Sequence, residues 1–567
     1  MTTPAPIEWR DTGTFGPEQA DLDVAYAISL PPEASLAWVD ARLNEIQSHL
    51  ANLGAGRNML APIYHVPKVI VVQILLWVAL SYPLSKSEGE LYRFLMDQAK
   101  DLVHATHACK LFRDAALERP ELWVRINLRH TGLAKLFLER SGDNPVSVFL
   151  YPRRHPDGYA SKHRRPLHPS TLEILRPHFS RVKNLDLTFA APTRSGYGGG
   201  NPVAIHLPAL ESLRIRNAWE EEGDVGGVIR ETLDEPPLVF PTPDDLYPRL
   251  RKVTLIAIDV PWNTSLFHGL TELDLSSQAR EYAPTFEEFL GVLGQCPGLE
   301  KLHITNSGPK GLPDSLPFPT TAKKVQLPHL QDLSITHDQG QYMDIPLLLA
   351  KVSIPPTTKI HIQCNKAAEP VICFSQMFPP EHPLLAELPK YGTLKYLHLY
   401  SCFHFRLVDE PSGAFLSFKV NRDNDNVSTA PSIIDFFKTF GGFAQHAEIY
   451  AGAKTNPWVD VLKALPNVES MKLKHQLVHD DFVAGLSVDV CPKLKKLSFE
   501  YHFTGFSART ADRQEEWLPV VKARAENGGK LEEFGLTFSP GEDYFTTEVV
   551  EGFKRYTGEF SCRGSPN

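Results

Sequence analysis

Cys296-Pro-Gly-Leu-Glu-Lys-Leu-His-Ile304 and Cys491-Pro-Lys-Leu-Lys-Lys-Leu-Ser-Phe499 lie in distant parts of the chain and carry one pattern. Two residues after a proline comes an apolar side chain, then another three positions on, then a third two positions beyond that. The same spacing recurs at Val182/Leu185/Leu187, Leu210/Leu213/Ile215, Leu250/Val253/Leu255, Leu270/Leu273/Leu275 and Leu330/Leu333/Ile335. It returns at Leu394/Leu397/Leu399, Val468/Met471/Leu473 and Leu531/Phe534/Leu536, more weakly at Thr357/Ile360/Ile362, and doubtfully near His446/Ile449. Pro208, Pro248, Pro328 and Pro466 repeat the placement of Pro297 and Pro492.

Two apolar residues two apart occupy one face of a short strand. A proline at a constant offset ahead of them marks a turn. Helix-like stretches between matches, such as Thr285–Gly294, Ser432–Phe440 and Trp458–Leu465, return the chain. A single unit cannot cover its own apolar face, so successive units must stack. The expected fold class is therefore α/β: a solenoid over 171–545, with a parallel sheet on its concave face and a cap and tail at 546–567. An ordinary α/β domain would explain the strand–helix alternation but not the shared proline. Leu213, Ile215, Leu273, Leu275, Leu302, Ile304, Leu397, Leu399, Leu497 and Phe499 should then share one core, on strands paired in parallel and in sequence order. The spacing between matches varies, and the pattern is poorest between 400 and 460.

Upstream of the repeats the periodicity is helical. Residues 1–18 are rich in Pro, Thr and Gly and are expected to be disordered. Over 19–57, Leu36, Val39, Leu43, Ile46, Leu50 and Leu53 alternate steps of three and four, the signature of an amphipathic helix. Gly54 and Gly56 should end it. The stripe is expected to be buried within its own domain, since a run this short seldom holds a coiled coil alone. A helical module follows over 58–130. It contains Val69–Leu80, an apolar run well short of the roughly twenty residues a membrane span needs. Next come a helix from Glu90 to about Leu117, a turn at Pro120 and a strand-like run to Leu128. A helix from Leu133 to Ser141 then leads to a strand at Val146–Leu150, inside a segment 131–170 expected to link module and repeats.

Three blocks in the module carry a resemblance. They are Val66-Pro-Lys-Val-Ile-Val-Val-Gln-Ile-Leu-Leu-Trp-Val78, His107-Ala-Cys-Lys-Leu-Phe-Arg-Asp-Ala-Ala-Leu117 and Pro120-Glu-Leu-Trp-Val-Arg-Ile-Asn-Leu128. Leu138-Glu-Arg-Ser-Gly-Asp-Asn-Pro-Val-Ser-Val148 follows. In order and spacing these blocks resemble the F-box-like module of the expanded mushroom-type fungal family. Val69 and Gln73 stand where that pattern has acids, and Lys68 where it has a second proline. The resemblance implies a small all-α F-box-like module ahead of a leucine-rich-repeat solenoid. It implies docking on the Skp adaptor of a cullin–RING ubiquitin ligase through Pro67, Ile70, Ile74, Leu75, Val78, Cys109, Phe112 and Trp123, with an unknown protein target held by the repeats. The chain would then be a non-catalytic, substrate-recognition subunit in ubiquitin-dependent degradation. A repeat scaffold with no ligase link is the alternative.

The bulk composition narrows the remaining classes. A net charge of −9 disfavours a general nucleic-acid binder or a membrane-surface protein. Seven scattered cysteines, with no CxxC pair, suggest a reducing compartment, cytoplasmic or nuclear, rather than a disulfide framework or zinc site. The histidine pairs His163/His168 and His329/His337, and His361 with Cys364, lack further ligands at useful spacing. Gly196-Tyr-Gly-Gly-Gly200 lacks the Lys-Ser/Thr of a phosphate loop and is expected to be a plain loop. Arg153-Arg-His155 with Lys162-His-Arg-Arg165 is expected to be a solvated basic loop, with a nuclear address or a patch for an acidic partner as the alternatives. No nucleophile elbow, zinc-protease or kinase motif occurs, so neither catalysis nor a cofactor is expected. A hydrolase hidden in 400–460 is the remote competitor.

Overall fold

The computed structural model describes residues 17–80, 99–151, 173–189, 206–217, 247–258, 260–278, 282–310, 324–337, 344–365, 373–380, 382–387, 391–399, 402–421, 430–451, 458–475, 485–486, 489–501, 510–538 and 547–564. The fold is mixed α/β: an N-terminal helical region and a large, mostly parallel sheet with helices between its strands. The chain divides into two compact units, residues 1–127 with 132–144, and residues 128–131 with 145–567.

The first unit opens with α1 (Pro17–Ser29) and α2 (Pro32–Met59). Pro17 and Glu18 thus belong to a helix, and α2 runs through Gly54 and Gly56 rather than stopping there. The two glycines each cost a helix about 1 kcal/mol relative to alanine, which the preceding turns can carry. α1 packs on the Trp38/Arg42 side of α2. The Tyr26 and Trp38 rings meet edge-on at 5.1 Å, and the Arg42 guanidinium donates to Asp23 at 2.8 Å and Glu45 at 2.6 Å. That side does not coincide with the leucine stripe. Leu36, Leu43, Leu50 and Leu53 are exposed, and Val39 and Ile46 are half-buried, so the expected buried stripe is not formed. Leu43→Glu should accordingly change folding stability by less than about 0.5 kcal/mol, against about 2–5 kcal/mol for a leucine truncated in a packed core. Urea unfolding of the two proteins side by side measures the difference.

After a one-turn helix at Pro62–His65 comes α3 (Lys68–Leu80). Residues 99–108 are helical, and α4 spans Lys110–Leu117, with Cys109 between them in extended conformation. The helix anticipated from Glu90 to Leu117 is therefore broken at Cys109, and its first residues lie outside those described. A turn at Pro120–Trp123, strand β1 (Arg125–Asn127) and α5 (Thr131–Arg140) complete the region. Trp123 holds the unit together. Its indole N–H donates to the Ala116 carbonyl at 2.9 Å, Phe137 of α5 meets its ring edge-on at 5.0 Å, and Arg140 lies over the ring at 4.5 Å. α5 packs here and is not a linker.

The second unit is built on β2 (Val146–Leu150), β3 (Val182–Phe189), β4 (Ser212–Asn217), β5 (Lys252–Ile256), β6 (Glu272–Ser276) and β7 (Lys301–Thr305). β8 (Val325–Gln326) pairs separately with β10 (Val352–Ser353), while β9 (Asp332–His337) and β11 (Lys359–Cys364) continue the large sheet. Further along are β12 (Thr393–Leu399), β13 (Cys402–Asp409), β14 (Ala414–Asn421), β15 (His446–Ala451), β16 (Ser470–His475), β17 (Lys496–Tyr501), β18 (Glu533–Phe538) and β19 (Glu559–Gly564). From β2 to β7, then β9 and β11, each strand pairs in parallel with the next in the order of the chain. The same holds from β15 to β19. The register keeps the recurring apolar pairs abreast: Leu213, Val253, Leu273, Leu302 and Leu333 form one buried row, and Ile215, Leu255, Leu275, Ile304 and Ile335 the next.

The prolines act as the spacing implied. In each of Leu207–Leu210, Tyr247–Leu250, Cys296–Leu299, Leu327–Leu330, Leu465–Val468 and Cys491–Leu494, the fourth residue donates its N–H to the carbonyl of the first. Proline holds the second position of each turn, where its restricted φ is already correct. The residue before the proline is commonly apolar and buried, which extends the repeat by one position. This accounts for the two Cys-Pro pairs. The Cys296 thiol donates to the Phe267 carbonyl at 2.7 Å and the Cys491 thiol to the Leu462 carbonyl at 3.4 Å, each reaching back into the preceding unit. Burial pushes the Cys491 thiol up to about 11. At the far end of β5, β6 and β7, Ala257, Ser277 and Asn306 all take left-handed φ values (55°, 55° and 47°). Their N–H groups donate to the carbonyls of Ser276, Thr305 and Thr336 in the next strand.

One segment departs from sequence order. β11 pairs in parallel with β14, β14 and β13 are antiparallel, β13 and β12 are antiparallel, and β12 returns to parallel pairing with β15. A double hairpin is thus inserted backwards into the sheet, and Gly413 (φ 69°) supplies the left-handed residue its second turn needs. Here the inward pair is Leu394/Tyr396, while Leu397 is half-exposed on the other face. The spacing predicts Leu394 at the turn and Leu397 in the core; the Leu399 side chain lies outside those described. The alternation is right, but its phase is set by pairing with Ala447 and Ile449, not by the upstream leucine. Ala444, Ala447 and Ile449 themselves fit the repeat spacing and are all buried. Small side chains hid that match. At the C-terminus, Thr557, Phe560 and Cys562 follow the same spacing behind the helix Thr547–Tyr556, so the expected cap and tail contain one more helix–strand unit.

Candidate interaction surfaces

In the first unit the chemistry sits on α3. Every turn of this helix is apolar, but its two sides have different fates. Val71, Val72, Leu75 and Ala79 are buried, and α3 packs against α4 and the Pro120–Trp123 turn. Val69, Ile70, Ile74 and Trp77 face outward at 65%, 48%, 42% and 73% exposure. At about 100° per residue these four fall within one side of the helix, opposite the buried set. A helix that is apolar all round is ordinarily covered all round. The helix start is fixed by the Pro67 carbonyl, which accepts from the N–H groups of Ile70 at 2.8 Å and Val71 at 3.3 Å. Lys68 pairs with Glu118 across the unit.

Pro67, Ile70 and Ile74 therefore come together on one exposed ridge, with Val78 half-buried at its edge. Cys109 and Phe112 are half-buried at the start of α4. Leu75 and Trp123, expected to face a partner, are 1% and 0% exposed and belong to the unit's own core. Both blocks of the pattern are apolar, and apolarity alone does not separate inner from outer positions. Val69 and Trp77 were missed. The signal for them was the helical period, which puts them on the side of Ile70 and Ile74.

In the second unit the residues between the inward pairs form the opposite face of the sheet. That face is polar and laced with ion pairs. Glu272 accepts from Lys252 at 2.9 Å and Lys301 at 3.1 Å; burial disfavours its charge, but the two lysines prevail and hold its carboxyl below the usual range. Glu448 and Glu500 bracket Lys474 at 3.4 and 3.3 Å, and Lys472 adds a second contact to Glu500 at 2.5 Å. Exposed pairs of this kind contribute about 0–1 kcal/mol each, so their value lies in fixing a charge pattern more than in stability.

Between these two ladders, on β7 to β13, the character changes. His303 sits 3.8 Å from Asp332. The His361 ring meets the Phe415 ring edge-on at 4.5 Å, and the Arg406 guanidinium lies over that same ring at 3.7 Å. His404 Nε2 is 2.6 Å from the Ser417 hydroxyl. Burial first, then the charges of Arg406 and Lys419, lowers the pKa of His404. Burial also lowers that of His361, with Asp332 opposing and Arg406, His303 and Lys359 reinforcing. Among the described residues of 400–460, the Ser417–His404 contact is the nearest thing to a hydrolytic pair. No carboxylate among the described residues orients His404, and its charged neighbours are cations.

Among the described residues no group of three side chains is placed to hold a metal ion. His361 and Cys364, three apart on one strand, point to opposite faces, and burial pushes the Cys364 thiol up to about 12. The Gly196–Gly200 run, the basic stretch 153–165 and the pair His163/His168 lie outside the described residues. Among those described, no helix is long and apolar enough to cross a membrane. No family model and no curated protein matches the chain.

Proposed function

We propose that the chain is an F-box-type adaptor, a non-catalytic subunit that brings a protein target to a cullin–RING ubiquitin ligase. The exposed ridge of α3 carries this reading: Val69, Ile70 and Ile74 stand opposite a helix face already committed to the core. Such a ridge suits the apolar face of a partner helix. It lies in the first of the three sequence blocks that resemble the F-box-like module. The second unit is read as an irregular leucine-rich-repeat solenoid, supported by the recurring proline turns, the sequence-ordered parallel strands and the stacked left-handed residues at Ala257, Ser277 and Asn306. Its polar strand face would hold the target, and the adaptor's contribution is then positional, raising the target's effective concentration near the conjugating enzyme.

The test is binding of the full chain to purified Skp adaptor. Burying a large aliphatic side chain is worth roughly 1.5–3 kcal/mol, which corresponds to tenfold or more in affinity. Ile70→Glu and Ile74→Glu should each weaken binding at least tenfold while leaving the circular dichroism spectrum unchanged, since both positions are exposed. Gln73→Glu, on the same side, should leave affinity unchanged or improve it. If the intact chain does not bind the adaptor at micromolar concentration, the ligase reading falls and a repeat scaffold without a ligase link takes its place.

A further inference from the structure

We infer that the strand face formed by β11, β14 and β13 holds a carboxylate of an acidic peptide segment, with the Arg406 guanidinium as its seat. The inference rests on reading that face as the target-holding surface, but it does not depend on adaptor docking. Arg406 is held by stacking. Its guanidinium carbon lies over the Phe415 ring at 3.7 Å, that ring is met edge-on by His361, and Phe415 is buried. The Arg406 Nε is enclosed without a hydrogen-bond partner, and among the described residues Arg406 makes no ion pair. A guanidinium kept planar, pre-oriented and unpaired presents a fork that matches a carboxylate.

The register gathers further donors around it. Arg406 is abreast of Ser417 and His361, while His404 is abreast of Lys419 and Gln363. Neighbouring strands are about 4.8 Å apart, so these groups lie within about 10 Å across the three strands. Neither Lys359 nor Lys419 has an ion pair among the described residues. Of the acids nearby, Glu410 and Glu448 flank Lys395 beyond β13, while Asp332, 3.8 Å from His303, is one carboxylate against the three cations Arg406, Lys359 and Lys419. In a chain of net charge −9 this is a local cationic island between two neutralised ladders. Its charge is complementary to an acidic segment, and like-charge repulsion from the rest of the surface would help confine that segment here.

The histidines add a sign for pH. His361 faces Asp332 from β9, His303 from β7, Arg406 from β13 and Lys359 on its own strand; His404 faces Ser417 and Lys419 from β14, His361 from β11 and Arg406 on its own strand. Both are held below the usual histidine pKa, so they are largely uncharged at neutral pH and gain protons on acidification. A bound carboxylate favours those protons. Binding should therefore strengthen from pH 7.5 to 5.5, a range over which glutamate, with a pKa of about 4.3, stays ionised.

The experiment measures binding of fluorescein-labelled hexaglutamate to the full chain by anisotropy at low ionic strength, with hexaglutamine as the neutral probe. Hexaglutamate is expected to bind, hexaglutamine not, and affinity is expected to rise several-fold at pH 5.5. Arg406→Gln should lose at least tenfold, Arg406→Lys should recover only part, and Lys419→Gln, remote from the Phe415 stack, should lose a few-fold with an unchanged circular dichroism spectrum. No binding of hexaglutamate to the wild type at millimolar concentration overturns the inference, and so does equal affinity for wild type, Arg406→Gln and Lys419→Gln. Adaptor binding, measured separately, would stand or fall on its own.

Discussion

Trp123→Ala should lower the stability of the N-terminal unit by about 3–5 kcal/mol, the range for removing a large aromatic from a packed interior. The ring is fully enclosed, and its loss strips the edge contact from Phe137, the stacked face from Arg140 and a donor from the Ala116 carbonyl. Trp123→Phe keeps most of the packing. It should cost much less, because the Ala116 carbonyl also accepts from the Arg119 N–H at 3.2 Å. Hydrogen exchange of the amides between 110 and 140 reads the effect locally, without requiring the two units to unfold together. Protection there should collapse in Trp123→Ala and survive in Ile74→Glu. The opposite result, wild-type protection in Trp123→Ala with loss of adaptor binding, would make Trp123 a contact residue after all. Any affinity lost on truncating Leu75 or Trp123 must otherwise be read as unfolding.

Phe436→Ala is the second large effect, again about 3–5 kcal/mol, and it should fall on the reversed hairpins. Phe436 stacks on Phe405 at 3.6 Å and meets Phe374, Phe418 and Phe440 at 5.1, 5.7 and 4.8 Å. These rings come from the helix Ala430–Phe440, the short helix Phe374–Met377, β13 and β14, so one side chain ties the insertion to the helix behind it. Amide protection over 402–421 should drop sharply while that of β16 and β17 changes little. A uniform loss across the sheet would mean that the insertion is not a separate cooperative element. Because Arg406 lies on β13, Phe436→Ala should also weaken hexaglutamate binding, and Phe436→Leu, which fills more of the space, should spare both.

The interior of the second unit was legible wherever the signal was local. A proline two residues ahead of an apolar position fixes a four-residue turn, and two apolar residues two apart fix a strand face. Both rules involve neighbours in sequence, which is why Leu213/Ile215, Leu273/Leu275, Leu302/Ile304 and Leu497/Phe499 fall in the core as expected. The same rule misplaced Leu397, since in β12 the inward face is chosen by a strand some fifty residues downstream. It overlooked Ala444/Ala447 and Thr557, where small or hydroxylated side chains occupy apolar positions. In the first unit, sequence established that α3 and the leucine stripe of α2 are apolar. It did not say which apolar side would be covered.

What the sequence determines by itself here is the recurring turn and inward apolar pair, in a register that keeps the pairs abreast. Each of those features costs or gains free energy within a handful of residues, so composition and spacing are enough to specify them. The tertiary structure alone decided that α1 would pack on Trp38 and Arg42 and leave Leu36, Leu43 and Leu50 exposed. It decided that Leu75 turns inward while Ile74 turns out, and that His361, Phe415 and Arg406, from three strands, would meet on one face. Those outcomes depend on contacts between distant parts of the chain. Periodicity shows which side of an element is apolar, and only the packed neighbours determine whether that side is covered.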